Sequence, residues 1–200
     1  MIYVYQLPIF VITLVHVIVF ALSDTRGRIL VMDSLERLLA IESIRQLKAR
    51  YLNACDLKDS TALTGCFLPG EIHVDYGHVG QFSTREAFVE LFDQAGNQPH
   101  ILDMHQGGNA EIEILSVDRA EARWNFDYRN INTEDQTIML ASGLYDDEYQ
   151  CLDGEWLISK SIVTYLSAIH FGYDDGRIGQ LFAGQSVAGI VDYGDELFKP

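Results

Sequence analysis

Four consecutive stretches decide the fold: "MHQGGNAEIEIL" (104–115), "AEARWNFDYRN" (120–130), "TIMLASGLYDDEYQCL" (137–152) and "EWLISKSIVTYLSAIHF" (155–171). Each is long and reads as a strand of a half-buried sheet, and aromatic or β-branched residues concentrate in the last three. Asp153-Gly154 supplies the tight turn between the last two, so they pair antiparallel. Upstream the period changes. "STREAFVELFDQAG" (83–96) reads as a helix, with Ser83 and Glu86 in capping-box spacing and Gly96 at its stop. "EIHVDYGHVG" (71–80) has strand alternation. From Asp33 to about Cys55 apolar residues recur at Leu35, Leu38, Leu39, Ile41, Ile44, Leu47, Tyr51 and Leu52, the stripe of an amphipathic helix. Asp59 is placed to cap a second, short helix through Phe67, closed by Pro69-Gly70. Helices first and long antiparallel strands afterwards is an α+β order, not βαβ.

Composition narrows the function. The chain has 200 residues, enough for one domain with a full core. Its net charge of -15, with 14 Lys and Arg against 29 Asp and Glu, excludes a phosphate-neutralising surface and hence nucleic acid as partner. Cys55, Cys66 and Cys151 are odd in number and widely spaced, which supports neither a zinc site nor a disulfide framework; reduced thiols in a cytoplasmic protein are expected. Residues 2–22 carry no charge and are long enough to span a bilayer. A signal peptide cut after Ser23, a membrane anchor flanked by Arg26 and Arg28, and a true translation start at Met32 all account for this segment; the last is preferred. The expected organisation is an apolar extension (1–31), a folded domain (32–171) and a Gly- and Asp-rich tail (172–200) that either covers a pocket mouth or is loosely ordered.

The segments "LLAIESIRQLKARYLNACDLKD" (38–59), "HILDMHQGGNAEIEIL" (100–115) and "YDDEYQCLDGEWLISK" (145–160), in this order, resemble the SnoaL-like branch of the nuclear transport factor 2 (NTF2)-like superfamily. The resemblance implies a cone, a curved antiparallel sheet wrapped round about three N-terminal helices, with a deep apolar pocket inside. Relatives similar in these motifs include dehydratases and a dehydrochlorinase. It also implies site residues: the family's tyrosine and aspartate at the end of the first helix fall on Tyr51 and Asp56, and its pocket histidine on His105. Tyr51 and Asp56 lie about 140° apart on an ideal helix, so their convergence requires the helix to end near Cys55 and the chain to bend at Asp56. The arginine of the dehydratase and dehydrochlorinase relatives falls on Ser161, or on Lys160 facing the other side of the sheet, so that cationic role is unfilled or moved.

A histidine in an apolar cavity acts as a general base when a carboxylate holds its second nitrogen. Asp56 is the candidate carboxylate for His105, and Tyr51 the candidate hydrogen-bond partner of a substrate carbonyl or departing hydroxyl. Asn125 and Asp127, which alternate with Trp124, Phe126 and Tyr128, are substrate-binding candidates, although solvent or a subunit interface is the preferred reading for both. His73, His78, His100 and His170 are weaker candidates. The acidic run Asp146-Asp147-Glu148 reads as solvated, because adjacent acids on a strand point to opposite faces. The expected activity is that of a cofactor-independent, metal-free lyase or isomerase of dehydratase type. Its substrate is a small hydrophobic oxygenated molecule of steroid, polyketide or aromatic type. A non-catalytic binding or assembly module and a hydrolase are the alternatives. By the resemblance, a homodimer or homotrimer is expected.

Overall fold

The computed structural model describes residues 32–173 and the strand at 178–183; the N-terminal extension and the rest of the tail lie outside the described residues. Helix α1 spans Ser34–Leu57. Asp33 caps it: its carboxylate accepts from the Glu36 N–H at 2.8 Å, and the Glu36 side chain accepts from the Asp33 N–H at 2.9 Å. The helix runs two residues past Cys55 and stops where Lys58 turns left-handed at φ 59°. Asp56 therefore sits inside the last helical turn, with no bend at that residue. The expected apolar stripe is buried at Ile44, Leu47, Tyr51 and Leu52, whereas Leu35, Leu38 and Leu39 are exposed. Each fully buried aliphatic residue contributes about 1.5–3 kcal/mol, so the C-terminal half of α1 carries most of its docking.

Helix α2, Ser60–Thr64, is capped by Asp59 through the Ala62 N–H. Strand β1, Glu71–Asp75, a short 3₁₀ turn, and β2, Gln81–Thr84, lead into α3, Arg85–Leu91, which continues as a π-turn to Gly96. Thr84 caps α3 through the Ala87 N–H; Ser83, the sequence candidate, lies one residue back in β2. Four long strands follow: β3 (Ile101–Ile114), β4 (Arg119–Asn132), β5 (Thr137–Leu152) and β6 (Glu155–Gly172).

The sheet order is β2-β1-β6-β5-β4-β3. Neighbours from β3 to β6 are antiparallel hairpins, but β1 joins β6 in parallel, so the sheet is mixed, not wholly antiparallel. The expected tail adds a further strand, β7 (Ile178–Ala183), which pairs with the C-terminal half of β6 from Ser167 to Phe171. The sheet curves around α1 without closing. Two glycines permit the close approaches this needs. A Cβ on Gly107 would lie 2.8 Å from Leu52 Cδ1, and one on Gly143, beside a bulge in β5, would lie 2.2 Å from the Thr164 carbonyl. The result is an α+β cone whose inner sheet face, with α1 and α3, encloses the core.

Candidate active site

Strand parity decides which side chains reach the cone's interior. On β3 Asp103 and His105 face inward; on β4 Phe126, Tyr128 and Asn130 do. Together with Tyr51 of α1 and Tyr145 of β5 they line an aromatic cavity of about 250 Å³.

At its wall Asp56 and His105 meet. The His105 Nδ1 is 2.7 Å from Asp56 Oδ1, and the His105 backbone N–H donates to both carboxylate oxygens at 3.0 and 3.1 Å. A carboxylate offers only acceptors, so Nδ1 carries the proton and Nε2 is left with the lone pair. The pair is partly accessible, its side chains 18% and 22% exposed. The Tyr128 ring packs on the imidazole with centroids 4.6 Å apart, fixing its plane.

Tyr51 lies deeper, almost wholly buried. It does not touch the His105–Asp56 pair but contacts Tyr76, hydroxyl to hydroxyl, at 2.7 Å. Burial above all, then the neighbouring Tyr76 and Tyr145, hold the Tyr51 phenol well above its ordinary pKa, so it stays protonated. Ser161 is fully buried behind this wall, bridging the Tyr76 hydroxyl at 3.1 Å and Asp147 at 2.7 Å. Lys160 faces outward onto Glu148. A cation is nevertheless present: Lys48 of α1 inserts its ammonium beneath the wall, 2.8 Å from Asp147 and 3.4 Å from the Tyr145 ring centroid. Burial pulls the Lys48 pKa down, and Asp147 works against that shift.

Asn125 and Asp127 are exposed on the outer face of β4, because the inward parity belongs to Trp124, Phe126, Tyr128 and Asn130. Of the acidic run, Asp146 and Glu148 point outward to Arg123 and Lys160 as expected, but Asp147 is buried and not solvated. His78 sits at the exposed rim of the cavity against Tyr165, whose ring partly desolvates it and lowers its pKa. His73 is exposed, His100 pairs with Glu134 at 3.4 Å, and His170 is half-buried on β6. Asp103 escaped the sequence reading. It accepts from the Tyr128 hydroxyl at 2.6 Å and Asn130 Nδ2 at 2.8 Å, giving the cavity a second carboxylate. Its position two residues before His105, on the same strand face, was the available signal. Among the described residues no group of three or more His, Cys, Asp or Glu converges as a metal site requires. A larger groove, about 620 Å³ and open to solvent, is lined by the Arg123–Asp146 and Lys160–Glu148 pairs together with Glu111, Glu113 and Glu121.

This fold recurs in solved structures. A hexachlorocyclohexane dehydrochlorinase (LinA) of type 2 superposes with a TM-score of 0.64 at 20% identity, covering 78% of this chain and 100% of its own. A candidate scytalone dehydratase from Novosphingobium aromaticivorans gives 0.63 at 17% identity, covering 78% and 97%. The type 3 dehydrochlorinase of Novosphingobium barchaimii gives 0.60 at 21%, covering 66% and 90%. At these identities the likeness concerns the fold. The SnoaL-like domain profile, however, matches residues 36–162, most of the chain. With three motifs, the cone and that match in agreement, the protein is a member of the SnoaL-like domain family.

Proposed function

We propose that the protein is a cofactor-independent dehydratase-type lyase in which the His105–Asp56 pair abstracts a proton from a small hydrophobic oxygenated substrate. The observation that carries this reading is the 2.7 Å contact between His105 Nδ1 and Asp56 at the wall of an aromatic cavity. Nε2 takes a proton from the carbon next to an activating carbonyl. The C–H electron pair becomes the new C=C bond and the C–O bond on the adjacent carbon breaks. The imidazolium, stabilised by Asp56, returns its proton to the departing hydroxyl, which leaves as water. Tyr51 contacts a substrate oxygen, and the rings of Phe126, Tyr128 and Tyr145 supply the apolar walls that a flat hydrophobic molecule needs. A filled cone would favour a purely structural module; an open cavity with an oriented base favours catalysis.

The test is turnover across a panel of small β-hydroxy ketones, comparing wild type with His105→Ala and Asp56→Asn. Loss of about 10²–10⁴-fold in kcat is expected, with the thermal melt lowered by no more than about 4 °C. Near-normal turnover by either variant removes the assignment.

A homo-oligomer and a cytoplasmic location belong to the same proposal. Met104, Leu140 and Ile169 are exposed and lie in one row across the outer face, with Arg129 of β4 between Met104 and Leu140, a mostly apolar row that a second copy could cover. Light scattering should give a dimer or trimer, and Leu140→Glu should yield monomers. Three free thiols, two of them buried, suit a reducing compartment.

A further inference from the structure

Beneath the cavity an unbroken hydrogen-bond chain runs from Lys48 to Tyr51. Asp147 stands at its centre and accepts three bonds, from Lys48 at 2.8 Å and Tyr149 at 2.7 Å on Oδ2, and from Ser161 at 2.7 Å on Oδ1. Trp124 Nε1 donates to Tyr149 at 3.0 Å, which leaves the Tyr149 proton for Asp147. All of these groups are buried, so water does not scramble the order. Each hydroxyl owns one proton. Ser161 spends its proton on Asp147, so its oxygen must accept from Tyr76. Tyr76 has then spent its own, so its oxygen must accept from Tyr51. Tyr51 directs its proton inward and turns lone-pair density to the cavity. Donors converge on both Asp147 oxygens, Lys48 and Tyr149 on Oδ2 and Ser161 on Oδ1, so Asp147 stands as the acceptor at the end of the chain.

We propose that Lys48, through Asp147, sets the hydrogen-bond direction of the cavity's inner wall, so that Tyr51 meets a ligand as an acceptor and the cavity selects molecules that place a hydroxyl there. This rests on reading the cavity as the substrate site, and it narrows the substrate class from oxygenated to hydroxyl-donating. It also makes Lys48 a positioning residue, occupying by another route the cationic role that Ser161 leaves open. Tyr51 receives from the substrate and does not protonate the departing group.

The experiment compares binding of β-naphthol with that of its methyl ether, which has the same ring but no donor, by fluorescence titration. The proteins are wild type, Ser161→Ala and Lys48→Met, each also with His105→Ala. Wild type should prefer the naphthol by about tenfold, the worth of one buried hydrogen bond. Ser161→Ala keeps the ion pair but lets Tyr76 donate to Tyr51, so the preference should fall to within about twofold. Lys48→Met should do the same if it folds; Ser161→Ala decides the matter if it does not. The His105→Ala background should leave the wild-type preference standing, which separates this proposal from the assignment of the base. Equal binding of both probes to wild type, no binding of the naphthol, or an undiminished preference in Ser161→Ala overturns it.

Discussion

Two nitrogen–carboxylate pairs join α1 to the sheet, and they differ chiefly in their access to water. His105–Asp56 and Lys48–Asp147 have contacts of 2.7 and 2.8 Å, but the first pair is 18% and 22% exposed and the second 1% and 0%. An accessible pair can exchange protons with a ligand at small structural cost. A dry pair cannot be halved without stranding a charge, so it serves by holding a polarity in place. On the proposed reading, the same contact has opposite uses at two positions of α1 eight residues apart.

The largest effect tests the dry pair. Lys48→Met should lose about 3–5 kcal/mol of folding stability in urea denaturation, because Asp147 is left buried without its counter-charge. A loss below about 1 kcal/mol would mean that the pair is not dry. Next, Tyr149→Phe should cost about 1–3 kcal/mol, since it removes one donor from Asp147 and leaves Trp124 Nε1 without an acceptor. His105→Ala should shift stability by only about 1 kcal/mol, the range of a single hydrogen bond, because the vacated space opens onto the cavity. A larger loss would make the two pairs alike and weaken the distinction. Smallest is a pH effect. Partial desolvation lowers the His78 pKa in the folded protein, so below the unfolded value of about 6.5 the unfolded chain binds a proton that the folded one does not. Stability should therefore fall as pH drops below about 6.5, and His78→Gln should flatten that slope in melts taken across the range.

The sequence showed the strands and helices through their periods, since long elements average over many residues. The parallel β1–β6 pairing was not legible, because period-two alternation is the same in either direction. The strand neighbours Asp147 and Ser161, fourteen residues apart, likewise gave no local sign of their partner.

 Their contact depends on register across the β5–β6 hairpin, including a bulge between Glu148 and Tyr149. Lys48 did leave a trace: it sits in the buried stripe between Ile44 and Tyr51, where a charge needs a partner. Asp56 and His105 were found only through the family resemblance, because a helix-end aspartate and a strand histidine are unremarkable singly. Parity decides between the two readings of Asn125 and Asp127 in favour of the outer face, since a one-residue step on a strand exchanges the cavity for solvent.

The central claim is that Asp56 holds the His105 ring with Nδ1 protonated and Nε2 bare. Nitrogen NMR of the histidine rings, in wild type and Asp56→Asn, reads this without any substrate. The account predicts that the neutral His105 ring carries its proton on Nδ1 and none on Nε2, with that tautomer preference lost in Asp56→Asn. A proton resident on Nε2 in the wild type, or a tautomer indifferent to Asp56, would contradict it.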